Sequence, residues 1–276
     1  MPAVSADLSK RLVPDELWEL VAPLLPSFTA RPQGGGTAPR DERAVFTAAV
    51  YVLTSGCAWR HLPPTFGTSS ATAHRRFTVW IEVALWRRLH RAVLDELGVR
   101  GEVDWTPAIV DAASVRAKKG RSLTGPNPVD RGKKKGSKLH VLADAQDIPL
   151  AVAVSGANMH DSFALKPLIL GTPAVSVPPG TTAARPVKLR ADKAYFSAEH
   201  LSWLRERGLV ARIARPGIES GERLGRHRWK IERSIAWLFG NRRLTIRYER
   251  KGSHFLAFLG LAAALTCYKK LAKPAT

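Results

Sequence analysis

"KLHVLADAQDIPLAVAVSG", residues 138–156, is the stretch on which the fold turns. Two apolar, β-branched runs flank Asp144-Ala145-Gln146-Asp147. Runs of this length bounded by turn residues read as strands, so the segment predicts two strands joined at Asp144–Asp147. Upstream, "PAIVDAASVRAK" (107–118) predicts another strand. Downstream, "DSFALKPLIL" (161–170) reads as a helix, and "RPVKLRADKAYFS" (185–197) as a buried strand running into a loop. "SAEHLSWLRERG" is a helix with a Ser197 cap and a Gly208 stop, and "LVARIARP" a short strand ended by Pro216. "RHRWKIERSIAWLF" (226–239) and the apolar run near 253–271 are the last helices, the final one buried. Hairpin strands followed by strands alternating with helices predict an α/β fold, a mixed sheet flanked by helices.

Residues 1–98 read differently, as an all-helical region. "VPDELWELVAPLLP" carries Pro14 and acids in its first turn, and "DERAVFTAAVYVLTSG" ends at Gly56. Gly67-Thr68-Ser69-Ser70 predicts a turn and N-cap. The helix after it, "SSATAHRRFTVW", carries His74, Arg75 and Arg76 beside small polar residues. It suits a helix-turn-helix-like recognition helix as well as the basic face of an ordinary bundle. The expected division is a helical, helix-turn-helix-like region, 1–98, and an α/β domain, 99–276.

The chain has 276 residues, with 43 Lys and Arg against 23 acids, for a net charge of +20. Such a surplus favours polyanionic partners, nucleic acid first. The 45% hydrophobic content supports a sizeable core. The longest apolar run, residues 255–267, is shorter than the roughly 20 residues of a spanning helix, so no membrane partner is expected. Cys57 and Cys267 lack metal-site spacing and read as reduced core thiols. No Walker-type loop or GxSxG motif supports a nucleotide cofactor or serine-hydrolase chemistry.

Three acids stand out: Asp111 in the first strand, Asp192 at the end of "VKLRAD", and Glu232 in the 226–239 helix. On a helical wheel at about 100° per residue, Glu232 falls with Trp229, Ile235, Ala236 and Phe239, toward the body of the protein. Arg226, His227, Lys230 and Arg233 fall on the opposite side. A core-facing carboxylate is costly unless paired or coordinated. Three such groups converging on divalent cations would serve phosphodiester chemistry. Strand-end aspartates also commonly make capping and turn hydrogen bonds, and the acids alone leave both readings open.

The surrounding motifs extend the reading. "IVDAASVRAKKG", "GPNPVDRGKKKGSKLHVLADAQDIPLAVAVSGANMHD", "LRADKAYFS" and "RWKIERSIAWLFGNRRL…RYER" resemble the DDE transposases of bacterial insertion sequences, family five of the IS four/five superfamily. "LWELVAPLLP…YVLTSGCAWRHLPP…TAHRRFTVW" resembles that family's helical N-terminus, so the likeness runs along nearly the whole chain. The resemblance implies a ribonuclease-H-like catalytic domain with Asp111, Asp192 and Glu232 as catalytic residues. It implies two ions, Mg²⁺ or Mn²⁺, held by the same three acids. It further implies binding of terminal inverted repeats, DNA cleavage, and joining of the 3′-hydroxyl to target DNA, by a homodimer on double-stranded DNA in the bacterial cytoplasm, with the nucleoid. Wider relatives carry Tyr-x2-Arg-x3-Glu-x6-Lys on the Glu helix. Arg228 and Glu232 keep the middle of that pattern, while Gly225 and Phe239 replace its ends. Arg242 or Arg243 could substitute there in contacting phosphate. Two other readings remain: a catalytically inactive DNA-binding remnant acting as a repressor, and a ribonuclease-H-fold nuclease.

Residues 117–138 form a basic loop with Lys118, Lys119, Arg121, Arg131, Lys133, Lys134, Lys135 and Lys138, and Asp130 as its one acid. It leaves the Asp111 strand directly, which favours a DNA-phosphate clamp over a solvated hairpin loop. His140 and His160 lack partners at zinc spacing and read as structural, with His160 and Asp161 bracing a strand-to-helix turn.

Overall fold

The computed structural model describes residues 3–27, 41–178, 186–217 and 231–272. The quoted stretch forms β3 (Lys135–Ala143) and β4 (Pro149–Gly156), paired antiparallel, with the turn at Asp144–Ile148. The Asp144 carboxylate accepts from the backbone N–H groups of Gln146 and Ile148, each at 2.8 Å, so the turn is built by its own first residue. β1 (Pro107–Ala117) lies antiparallel to β3, and Asp111 stands opposite Val141. On its other edge β1 pairs parallel with β5 (Lys188–Ala191), which pairs parallel with β6 (Val210–Ile213). The order β4-β3-β1-β5-β6 is the ribonuclease-H-like mixed sheet expected above. Two short strands extend it: β2 (Gly125–Pro126) on β3 and β7 (Ile246–Arg247) on the end of β1.

The helical elements begin with α1 (Ala3–Leu12), which the reading of the N-terminus did not anticipate. α2 (Asp15–Val21), α3 (Glu42–Ser55), α4 (Ser70–Glu82) and α5 (Leu85–Val99) follow. Gly56 ends α3 at φ 74°, and a Cβ there would come within 2.9 Å of the Arg242 Cβ. Glycine is needed at this position for both reasons. The Ser69 side chain caps α4, accepting from Thr72 N at 3.1 Å. α6 (Leu165–Gly171) and α7 (Ala198–Glu206) flank the sheet, and Ser197 caps α7 as expected. α8 runs over 231–239, followed by α9 (Arg242–Thr245).

α10 (Gly252–Leu271) joins the two regions. It is apolar on nearly every side because it packs on β4 and also against α3, α4 and α5. Phe77 of α4 stacks on Phe258 of α10 with centroids 4.5 Å apart, and one apolar core runs from α2 to the sheet. Cys267 is a buried free thiol in this helix, as expected, and burial pushes its pKa up. Among the described residues no helix is long and apolar enough to cross a membrane.

Candidate active site

Asp111 lies in β1 two residues past the last rung that β1 shares with β5, and Asp192 directly follows the end of β5. Pro107, Ala108 and Ile109 pair with Lys188, Leu189 and Arg190, and Asp192 follows Asp111 by the same interval along the chain. β5 ends at Ala191, so Asp192 leaves the ladder and caps the short 3₁₀ turn Lys193–Tyr195. Its Oδ1 accepts from Ala194 N at 2.8 Å, and Asp111 Oδ1 accepts from Ala112 N at 2.8 Å. Both side chains are half-buried. Backbone donors therefore orient both carboxylates.

The Tyr195 side chain closes the floor of this site. The residue is 1% exposed, and its hydroxyl has no hydrogen-bond partner among the described residues. Burial raises its pKa, and the charges of Asp161, Asp111 and Asp192 raise it further. The reading of the sequence missed Tyr195, while its neighbour Asp161 was expected only to brace a turn with His160. The signal was "DKAYFS", an aromatic pair directly after a strand-end aspartate. Asp161 follows β4 and pairs with Lys138 of β3 at 2.8 Å. His160 caps the turn through Nδ1 and Ser162, as expected. His140 is buried with Nε2 2.8 Å from Ser155 Oγ, and burial lowers its pKa to about 4.

Glu232 lies on α8, but the wheel reading of that helix needs correction. The buried side chains are Ile231, Ser234 and Leu238, while Glu232 is exposed. Arg233, expected to point away, donates to the buried Asp147 carboxylate. The wheel anchored the inward face on Trp229, Ile235 and Phe239. The true stripe is set by what α8 meets, the β3–β4 turn. Arg226, His227, Arg228 and Lys230 lie outside the described residues, as do Gly225 and Trp229. Among the described residues no three His, Cys, Asp or Glu side chains are close enough together to hold one metal ion. Asp111 and Asp192 fit two oxygen donors for a hard cation.

The basic residues divide into two groups. Lys118, Lys119, Arg121, Arg131, Lys133, Lys134 and Lys135 are exposed on the loop leaving β1. A tight turn shapes its tip: Lys133 N donates to Asp130 O at 2.8 Å and Asn127 N to Lys134 O at 3.0 Å. Lys138 is not part of this exposed group, because its ammonium is held by Asp161 and the Met159 carbonyl. Arg243 is also an interior residue. Its Nε donates to Glu249 Oε1 at 2.6 Å and its Nη1 to the Cys57 carbonyl at 2.8 Å, so it is no substitute phosphate contact; Arg242 is exposed. Arg247 is fully buried, donating to Ser137 Oγ and to the carbonyls of Ser122, Leu123 and Glu249. On α4, Arg76 pairs with Glu42 of α3. Arg75 is exposed, and His74 lies against Trp59 and His254.

The sheet order, with one acid on its first strand and another just past the end of the next parallel strand, is the architecture of a DDE domain. Comparison with known proteins agrees. Residues 106–267 match the family model described as "Transposase DDE domain", and residues 13–90 match "Putative transposase of IS4/5 family". The chain belongs to the DDE transposases of the IS4/5 type. It is 43% identical over 152 residues to the "Putative transposase for insertion sequence element IS402" of Burkholderia cepacia, covering 55% of this chain and 72% of that one. It is 36% identical over 123 residues to the "Insertion element IS402 uncharacterized 16.2 kDa protein" of Burkholderia cepacia, covering 44% of this chain and 84% of that one. Among solved structures, the piggyBac transposase synaptic complex with hairpin DNA aligns with a TM-score of 0.42 at 10% identity, covering 99% of this chain and 77% of that one.

Proposed function

We propose that this transposase binds the terminal inverted repeats of its element, cleaves phosphodiesters there and joins the 3′-hydroxyl ends to target DNA. Asp111 on β1 and Asp192 just past the end of the parallel neighbour β5, both close enough to Tyr195 for their charges to act on it, support this reading. Asp111, Asp192 and Glu232 would hold two Mg²⁺ or Mn²⁺ ions, which supply activation of the attacking oxygen and stabilisation of the leaving oxygen. The chain's own groups do the rest. Backbone N–H donors at Ala112 and Ala194 keep the two aspartates aimed. The exposed cations of the β1 loop hold the DNA backbone, with Arg75 on α4 and Arg242 adding contacts. Arg228, three residues before the described part of α8, is assigned to the scissile phosphate by its match to the family pattern. No side chain serves as nucleophile; water attacks first and the freed 3′-hydroxyl second. Handling two ends together calls for a homodimer on DNA.

The test is Asp192→Asn, assayed on duplex end DNA with Mg²⁺ or Mn²⁺. Cleavage and strand transfer are lost while end-DNA affinity is kept. Wild-type cleavage by this variant would sink the reading.

A further inference from the structure

The β3–β4 turn is gripped by two helices. Asp147 is fully buried, at φ 68°, and its carboxylate receives both Nε and Nη2 of Arg233 from α8. Its backbone carbonyl accepts from Ser234 Oγ, also on α8, at 3.0 Å. One residue away, the Gln146 carbonyl accepts from Lys270 of α10 at 2.9 Å. Trp237 of α8 lies between the two cations, 5.4 Å from the Arg233 guanidinium and 4.8 Å from the Lys270 ammonium. Successive residues of α8 are thus tied to one residue of the hairpin. Successive side chains on a helix differ by about 100° in direction, so two adjacent ties set the rotation of α8 about its own axis. Glu232 is the next residue back.

We propose that the Asp147–Arg233 latch is a positioning device, which orients Glu232 toward the Asp111–Asp192 site by locking the rotation of α8 on the β3–β4 turn. The inference rests on the reading of Glu232 as the third metal-binding carboxylate. Asp147 is fully buried and acts through α8.

The chosen variant is Asp147→Gly, because glycine accepts φ 68° without strain and the turn keeps its shape. Two measurements on the full chain separate the possibilities. Hydrogen exchange reads the latch directly: the amides of α8 exchange faster in the variant, while those of α10 are unchanged. Titration with Mn²⁺ alone, followed by electron paramagnetic resonance, reads the site: loss of a supporting residue weakens affinity by about 10-fold. Arg233→Gln, which removes the charge from the other side, gives the same pair of effects. Unchanged exchange of α8 overturns the latch. Faster exchange with wild-type Mn²⁺ affinity overturns its positioning role and leaves the functional reading standing. A wild-type chain that takes up no Mn²⁺ overturns both, and does so before any substitution is made.

Discussion

The basic loop after β1 offers the most direct quantitative test. Lys133, Lys134 and Lys135 are exposed at its tip, and the turn closed by Asp130 presents them together. Each phosphate neutralised on duplex DNA contributes about 0.9 to the slope of log K against log salt. Replacing all three lysines with glutamine therefore makes the slope shallower by about 2.7. Between 50 and 200 mM salt, the variant then loses about 40-fold less affinity than the wild type does. Fluorescence anisotropy of a labelled end-DNA duplex across that range measures both curves. Lys138→Gln is the internal control: its ammonium is occupied by Asp161 and Met159, so the slope stays at the wild-type value. Equal slopes for the triple variant and the wild type would refute the clamp. A large slope change from Lys138→Gln alone would refute the sorting of exposed from engaged cations.

Three other outcomes are expected. Glu249→Ala leaves the Arg243 guanidinium buried beside Tyr248 and Phe258, and breaking such a pair costs about 3–5 kcal/mol. Urea denaturation measures it, and a loss below about 1 kcal/mol would contradict interior pairing. Tyr195→Phe removes a buried hydroxyl with no partner among the described residues, so stability is unchanged or rises by about 1 kcal/mol in the metal-free chain; a clear loss would mean the hydroxyl is bonded. Stability also falls on acidification. His90 and His140 are lowered to about 4 by burial, so their neutral forms stabilise the fold above pH 6.5 and that support is lost as pH falls toward 4. Asp144, raised to about 6 mainly by burial, acts oppositely, because its protonated form stabilises the fold below that pH. Together these three groups give a loss of about 2 kcal/mol between pH 7 and pH 5, to which His74 and His254, also lowered by burial, add; a flat denaturation midpoint over that interval would contradict it.

Much of the sheet was legible because its signals are local. Strand runs of β-branched residues, the polar turn at Asp144–Asp147, the Ser69 and Ser197 caps and the Gly56 and Gly208 stops each depend on a few neighbouring residues. Helix α1 was not legible, since "AVSADLSKRL" has neither a strong apolar stripe nor a first-turn acid. The site divides the same way. Asp111 and Asp192 could be placed on strands from their apolar flanks, and the parallel pairing of β1 with β5 sets those strands side by side.

Which way charged residues face was not legible. The motif "RYER" carries three charged residues out of four, yet Arg247 and Glu249 are interior and Glu249 pairs with Arg243. In "RHRWKIERSIAWLF" the wheel gave the right period for the part of α8 that is described, but the wrong inward face.

The sequence by itself determined the strands, the caps, the positive charge and the acids that could serve phosphate chemistry, because these follow from composition and short-range periodicity. Only the tertiary structure decided which cations are engaged within the protein. Arg243 and Arg247 are buried, on Glu249 and the Cys57 carbonyl and on Ser137, while the exposed Arg233 reaches the buried Asp147 and Lys138 the half-buried Asp161. A charge is buried only where such a partner offsets its desolvation. That partner is supplied by packing between distant segments, which no local pattern contains.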